Sequence, residues 1–480
     1  MKVSFINPSL DERPAPAEKW RSISFSATFP IGILYLATVL KNEGIEVSIF
    51  DQSVKGASTE ETIKWVGKES PDILGFSTVT GTGQNAALIA GEVKKQNPNM
   101  TIVFGGYHAT FNADRILKKY PFVDIVVRGE GETTILDLAR QLEKRRNLKN
   151  VLGITFRRKG SPSIISTADR PLIENLDSLL FPDRRLLDTD YHLTIAEAHI
   201  ATRKFTSIIS SRGCPCRCRF CACQKMARGI WRPRSVENLV EEICLLVSQG
   251  FRQFMFVDDN FTKDPKRVID FCRRIAKEKM DIEWIFEGRV DSSSYYMLRE
   301  VVKAGGKIGL FGIESANQRI LDYYHKNVTP EQAKCATKNA RKAGMDFITG
   351  SFVVGAPNET KGEIENTLKF AHQLSIDIPQ YNVLSAFPGT DIWNELKIQG
   401  VLNEDEYWEI GAIVSKISPK TVPYEEIEQI VQRYFRDFFL RPEYLLDQTA
   451  RLLKSPYRRS VVLSNLHKAG SIGKSLRTVF

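Results

Sequence analysis

The feature that most restricts the fold of this chain is a double alternation. Short, continuously apolar segments occur at 2–7, 46–51, 72–77, 101–106 and 123–129. Amphipathic stretches with helical periodicity lie between and after them, near 31–43, 58–68, 82–96, 108–119 and 131–143. Strands that are apolar on both faces suit a parallel sheet covered by helices on each side. The spacing predicts a doubly wound, Rossmann-like sheet of five strands over residues 1–145. A polar, proline-containing stretch at 11–20 follows the first strand, and strand-end loops are where such sheets bind ligands. A connector at 146–200 opens with a short hairpin, "VLGITFRRKGSPSIIS". The alternation then resumes. Strand segments at 205–211, 254–259, 282–288, 307–315, 346–355 and 378–387 interleave with helices near 236–249, 265–278, 293–304, 330–343 and 361–374. Six such units predict a partial (β/α)6 TIM-like barrel over 201–402, with functional residues at the C-terminal strand ends. From 403 to 480 the pattern is helical. The fold class expected is α/β: a Rossmann-like sheet, a partial barrel and a helical C-terminal region.

A chain of 480 residues has room for two or three cores. No run of about 18 apolar residues occurs, so no transmembrane helix is expected. The N-terminal apolar stretch is too short for a secretory signal. A cytoplasmic location follows as the expectation. There thiols stay reduced, and clustered cysteines serve as metal ligands rather than disulfides. The net charge is +10. Residues 451–480 hold Arg451, Lys454, Arg458, Arg459, Lys468, Lys474 and Arg477 with no acidic residue. The same tail carries Leu452, Leu453, Val461, Val462, Leu463, Leu466, Ile472 and Leu476. A basic amphipathic surface of this kind suits peripheral contact with an anionic membrane; alternatively its apolar residues dock the tail on the barrel. With only Tyr457 and Phe480 as aromatics, it is poorly equipped to stack nucleic-acid bases.

Five of the eight cysteines fall within "CPCRCRFCAC", residues 214–223. A structural zinc site takes two C-x2-C pairs a dozen or more residues apart, and Cys218–Cys221 has no second pair. One triplet has the spacing C-x3-C-x2-C: Cys214, Cys218 and Cys221. Counting from Cys216 the next position needed is Phe220, and from Cys218 it is Ala222. A four-iron four-sulfur cluster held by three thiolates leaves one iron open to a further ligand, a catalytic design. Cys216 and Cys223 stand outside the triplet: they face the substrate, ligate a second metal or fill local space. Cys244, Cys272 and Cys335 lie in helix patterns beside apolar neighbours and read as small core residues.

"SRGCPCRCRFC" followed by "RPRSVENLVEEI" resembles the radical S-adenosylmethionine enzymes. The resemblance implies a [4Fe-4S] cluster on Cys214, Cys218 and Cys221. Its open iron chelates the amino and carboxylate groups of S-adenosylmethionine, and one electron cleaves the sulfonium to a 5′-deoxyadenosyl radical. It implies further cofactor contacts at Phe220, before the third cysteine, and at Asp258 and Asp259 in "FVDDNFT", beside the methionine part. Arg289 in "GRVD" suits the cofactor carboxylate as a bidentate cation. Glu314 in "FGIES" suits the ribose hydroxyls, Gly355 in "VVGAPNET" marks the turn against adenine, and "FPGT" at 387–390 matches the sixth strand end.

In the first module, "GTGQNA" from Gly81 has the form G-x-G-x-x-A, yet it follows the third strand. A dinucleotide site needs it after the first. Residues 29–51, 71–80, 103–110 and 126–132 instead resemble, in order, the cobalamin-binding domains fused ahead of radical enzymes. This likeness implies that Ser77, Thr78, Thr80, Gly105, Gly106, Gly129 and Glu130 meet cobalamin. Many such domains carry D-x-H-x-x-G, whose His ligates cobalt. Residues 8–29 contain no His, and the only D-x-H is Asp190–His192. Cobalt is therefore expected without that ligand. His108, after the fourth strand, reads as structural.

Both modules in one chain imply methylation of an unactivated carbon under anaerobic conditions, with a ferredoxin or flavodoxin as reductant. The alternative is cobalamin-linked oxidative cyclisation or C–C bond formation on a tetrapyrrole- or lipid-like substrate. A non-enzymatic iron–sulfur or nucleic-acid-binding protein is a third reading, supported only by the basic tail. A methylthiotransferase would carry an extra N-terminal cysteine triplet, and residues 1–213 contain no Cys.

Overall fold

The computed structural model describes residues 1–10, 29–145, 147–158, 163–195, 198–404, 419 and 422–465. The polar stretch 11–20 and the tail beyond 465 lie outside the described residues. The first sheet runs in the order β2-β1-β3-β4-β5-β6-β7. Strands β1 (Lys2–Asn7), β2 (Glu46–Asp51), β3 (Ile73–Ser77), β4 (Thr101–Gly105) and β5 (Ile125–Val127) are parallel. β6 (Ile154–Arg157) and β7 (Ile164–Ser166) add an antiparallel hairpin to the edge. The sheet thus has seven strands rather than the expected five. The hairpin assigned to the connector is part of it, because Ile154 and Phe156 bury against the first core while their strand covers the open edge of β5. The strand order reverses between β1 and β3, and open α/β sheets place their ligand crevice outside the strand ends at that point.

A two-residue ribbon pairs β8 (Thr194–Ile195) with β9 (Ala198–His199), and a second pairs β11 (Ser211–Arg212) with β12 (Arg232–Pro233). The second large sheet is parallel throughout: β10 (Phe205–Ile208), β13 (Gln253–Phe256), β14 (Glu283–Arg289), β15 (Gly306–Glu314), β16 (Phe347–Val354) and β17 (Ile378–Val383), in that order. This is the six-stranded partial barrel. Its outer face carries Phe254, Phe256, Trp284, Phe286, Phe311 and Phe352, all fully buried under the helices. The Trp284 indole stays satisfied there by donating to Ala304 O at 2.9 Å. Helix starts follow local chemistry. Thr329 caps Pro330–Ala343 reciprocally with Gln332, and Thr360 caps Lys361–Phe370 with Glu363.

The C-terminal helices Pro442–Lys454 and Pro456–Asn465 pack at the opposite end of the barrel from the cysteine loop, at the strand N-termini. Asp377, just before β17, accepts from Arg458 at 2.8 Å and also from Arg451, while the Arg458 Nε donates to Asp346 O at 2.8 Å. Tyr457 and Val461 are buried. In the described part of the tail, two of the basic side chains are therefore consumed by internal ion pairs, as the docking alternative expects. Leu453, Val462 and Leu463 remain exposed. Among the described residues no helix is long and apolar enough to cross a membrane. Cys272 is buried as expected, but Cys244 and Cys335 are exposed. Their helices turn those positions to solvent, and the apolar neighbours in sequence lie on the other side.

Candidate functional site

The cysteine loop leaves β11 through Gly213 and ends in the short helix Cys223–Met226. Gly213 has φ +87, and a Cβ there would lie 2.1 Å from Ile230 O, so only glycine fits. Its N–H donates to Asp259 Oδ2 at 2.8 Å. Asp259 thus anchors the loop. Asp258 behaves differently from expectation. It is fully buried, and its carboxylate accepts from Ser210 N at 2.7 Å, Ser210 Oγ at 2.6 Å and Ser211 Oγ at 2.5 Å. With its oxygens committed to β10–β11, it is closed to a ligand.

All five loop thiols are partly buried. Hydrogen bonds link Cys214 to Cys216 and Cys221 to Cys223. The bond from Cys214, aided by Arg289 and Lys326, pulls Cys216 down to about 6. Burial pushes Cys218 up, opposed by the same two cations. Thiolate ligation is favoured beside such charges. Among the described residues no three His, Cys, Asp or Glu side chains converge on a single ion. A four-iron cluster does not ask for that, since its thiolates sit on different irons. A loop of partly buried thiols next to two cations fits the cluster's donor set.

Around this loop the barrel's strand ends are internally paired. Arg289 at the end of β14 makes a fork to Asp291, with Nε–Oδ1 at 3.0 Å and Nη2–Oδ2 at 2.9 Å, and donates to Lys326 O at 2.8 Å. A cofactor carboxylate there would replace Asp291. Glu314 has φ +65, and its Oε1 accepts from the buried Lys326 Nζ at 2.6 Å. The ribose role expected of Glu314 therefore competes with an ion pair. Gly312 makes room for that pair, since a Cβ would lie 2.6 Å from Glu314 Oε1 and 2.7 Å from Lys326 Nζ. Lys326 carries no mark in the sequence, since "YYHKNVT" holds no motif. Gly355 has φ +91 and is buried under Ile427 and Val383, its N–H donating to Glu359 Oε2 at 2.6 Å. It shapes the turn without offering surface. Phe220 sets its ring edge against Tyr324, with centroids 5.2 Å apart.

Between the modules lies a crevice of about 420 Å³. Ser77, Gly105, Gly106 and Gly129 line it from the first sheet, and Arg212, Gly213 and Asp259 from the barrel. Phe5, Ile31, Ile33 and Val103 supply apolar walls. Gly106 has φ +92, and a Cβ would come within 2.6 Å of Thr78 O. A Cβ on Gly129 would instead point into open space. Glycine-floored, apolar and mostly preformed, the crevice accepts a flat group close against backbone, as the nucleotide tail of cobalamin requires. Two expected contacts do not reach it, and a third is engaged elsewhere. Thr78 is buried and gives its hydroxyl to Gly105 O at 2.9 Å. Thr80 lies in a turn outside the lining. Glu130 lines the crevice, but its carboxylate accepts from Arg232 at 2.8 and 2.9 Å, Arg212 at 3.2 Å and Ile173 N at 2.8 Å. Despite burial, these cations hold it below the usual range. It locks the modules together rather than holding a ligand. Tyr107, next to the double glycine, joins the site without any motif to mark it. It lines the crevice, and its hydroxyl lies 3.7 Å from Cys223 Sγ, joining the first module to the cysteine loop. His108 is buried and pulled down to about 4 by burial, with Gly83 packed on its ring, as its structural reading requires.

Comparison with known proteins gives two family matches: a B12 binding domain over residues 25–139 and the Radical SAM superfamily over 208–371. The chain is 34% identical over 418 residues to "Uncharacterized methyltransferase PH0819" of Pyrococcus horikoshii, covering 87% of this chain and 89% of that protein. It is 29% identical over 458 residues to the "Anaerobic magnesium-protoporphyrin IX monomethyl ester cyclase" of Rubrivivax gelatinosus, covering 93% of this chain and 78% of the relative. Its fold matches that of the radical S-adenosylmethionine methyltransferase TsrM from Kitasatospora setae, with a TM-score of 0.66, 15% identity and coverage of 83% and 75% of the two chains.

Proposed function

The chain belongs to the cobalamin-binding radical S-adenosylmethionine enzymes, and from that premise we propose that it methylates an unactivated carbon of its substrate. The observation that carries this reading is the shared crevice, lined at once by the strand ends of the B12-binding module and by the base of the cysteine loop. When bound, the [4Fe-4S] cluster supplies an electron, S-adenosylmethionine the means of removing a substrate hydrogen, and cobalamin the methyl group.

The chain's own residues would then divide the work. Cys214, Cys218 and Cys221 hold the cluster. Arg289 and Lys326 put positive charge beside the thiols, and Arg289 would hold the carboxylate of S-adenosylmethionine in place of Asp291. Asp259 fixes the start of the loop. Gly105, Gly106 and Gly129 let cobalamin approach backbone, and the Glu130–Arg212–Arg232 ion pairs hold the two modules in register. A ferredoxin- or flavodoxin-type protein supplies the electron, and the free thiols suit the reducing cytoplasm. The second reading, oxidative cyclisation, is favoured by the likeness to the protoporphyrin ester cyclase along most of the chain.

Gly105→Leu tests the crevice assignment. Gly105 lines the cavity, and its nearest neighbour in the Cβ direction is Val127 at 3.9 Å, so a leucine side chain fits only by filling the cavity. Overpacking of this kind costs about 1–3 kcal/mol. The variant is expected to lose cobalamin on gel filtration and to stop methyl transfer, while still cleaving S-adenosylmethionine at its cluster. Retention of stoichiometric cobalamin would place the cofactor elsewhere.

A further inference from the structure

The inner face of the barrel is layered by strand register. Ile285 on β14 pairs with Met255, and with Ile308, which pairs in turn with Phe347. That row is apolar. The next row towards the strand C-termini is Glu287, Leu310, Thr349 and Ile378. The row above it is Arg289, Gly312, Ser351 and Gln380. On β14 the side chains alternate, Trp284 and Phe286 going to the helices and Ile285 and Glu287 to the hollow.

Glu287 is unusual among these. Its side chain is exposed although strands surround it, because register and alternation turn it towards the open hollow of the barrel. It has no hydrogen-bond partner among the described residues, unlike Arg289, Glu314, Asp258 and Asp259 around it. In the same row the Thr349 hydroxyl is buried and also lacks a protein partner. The nearby cations are already spent, Arg289 on Asp291 and Lys326 on Glu314. The nearby carboxylates add to the negative charge: Asp259 accepts the Gly213 N–H, and Asp258 is held by serines. Burial first, then Asp259 and Asp258, pushes Glu287 up to about 7. A carboxyl with no protein partner, set among other carboxylates, is the natural counter-group for a cationic ligand.

We propose that Glu287, with Thr349 beside it, is the substrate-recognition site of the barrel and receives a protonated amine of the substrate. This rests on the methyltransferase reading and adds the chemistry of the group recognised. Glu287 lies two positions before Arg289 on β14, about 6.6 Å away at the rise of a strand. The amine is therefore held one row below the cofactor end of the barrel, with the apolar Met255–Ile285–Ile308 row as its floor. An ammonium both donates to the carboxylate and cancels the local excess of negative charge, which a neutral hydroxyl does not.

The test reads binding, so it stands apart from methyl transfer. Saturation-transfer NMR on the reconstituted holoenzyme would use n-butylammonium, n-butanol and n-butyrate as probes. Butylammonium is expected to bind, butanol and butyrate to give no signal. Loss of a charge-assisted hydrogen bond predicts roughly tenfold weaker ammonium binding in Glu287→Gln. Thr349→Val is expected to weaken it by a smaller factor with the cluster spectrum unchanged. S-adenosylmethionine affinity is expected to be equal in the wild type and Glu287→Gln. Equal ammonium binding in both proteins, or binding of butanol in preference, would overturn the proposal. Loss of S-adenosylmethionine binding in Glu287→Gln would assign the carboxyl to the cofactor's sulfonium and overturn the substrate role.

Discussion

Alanine at Cys214, Cys218 or Cys221 is expected to abolish the visible absorption of the iron–sulfur cluster and all turnover. Alanine at Cys216 or Cys223 is expected to leave the cluster in place. The two sets lie in one ten-residue loop with similar exposure, so access does not separate them. Spacing does: C-x3-C-x2-C occurs once among the five. Each of the two thiols outside the triplet is hydrogen-bonded to a member of it, Cys216 to Cys214 and Cys223 to Cys221. Cys223 meets the Tyr107 hydroxyl, and Cys216 hydrogen-bonds to Cys214 under the influence of Arg289 and Lys326. Iron and sulfide analysis with ultraviolet–visible spectra of the five variants reads the outcome. Loss of the cluster in Cys216→Ala would mean that the triplet has been assigned to the wrong thiols.

Gly213→Ala is expected to be nearly as severe, although it changes no ligand. Holding alanine at φ +87 costs about 1–3 kcal/mol from backbone conformation alone. The new Cβ would also stand 2.1 Å from Ile230 O, a backbone atom that cannot turn aside. The loop start must then move, breaking the Gly213 N–H bond to Asp259 and displacing Cys214. Iron content should fall steeply, while far-ultraviolet circular dichroism stays close to that of the wild type, since the strain is local to the loop. Full cluster occupancy in Gly213→Ala would show that the loop tolerates a different path.

Much of the fold was legible because two periodicities dominate the chain. β1 and β2 fall where continuous apolar runs placed them, and β3 and β4 fall one residue short at one end. All six barrel strands appear, because each buries one face under the helices, through aromatic residues such as Trp284 and Phe311 on most of them. The β6–β7 hairpin was visible as a hairpin, but not its place, since nothing local says which sheet edge a hairpin will cover. Cys244 and Cys335 are exposed against expectation for a similar reason: apolar neighbours in sequence do not say which side of a helix faces the core.

The site divides along the same line. Glycines that need a special backbone, Gly106 and Gly213, leave a mark in the sequence. Partners do not. Asp258, Thr78 and Glu130 carry suitable chemistry, yet serines, a backbone carbonyl and two arginines have taken it up. Conversely Lys326, Tyr107 and Glu287 acquire their importance from strand register and interdomain packing. Glu287 sits in an otherwise ordinary strand, "EWIFEGR", and only the pairing with Leu310 and Thr349 shows that it faces the hollow.

The central claim is that the crevice and the cysteine loop act on one substrate, and isotope tracing tests it most directly. Holoenzyme carrying cluster and cobalamin would be given S-adenosylmethionine with a deuterated methyl group, a low-potential reductant and a metabolite extract from cells lacking the gene. The account predicts a product that carries the intact deuterated methyl group on a carbon, formed together with 5′-deoxyadenosine and absent with the Cys218→Ala enzyme. Cleavage of S-adenosylmethionine to 5′-deoxyadenosine with no label in any product would contradict it.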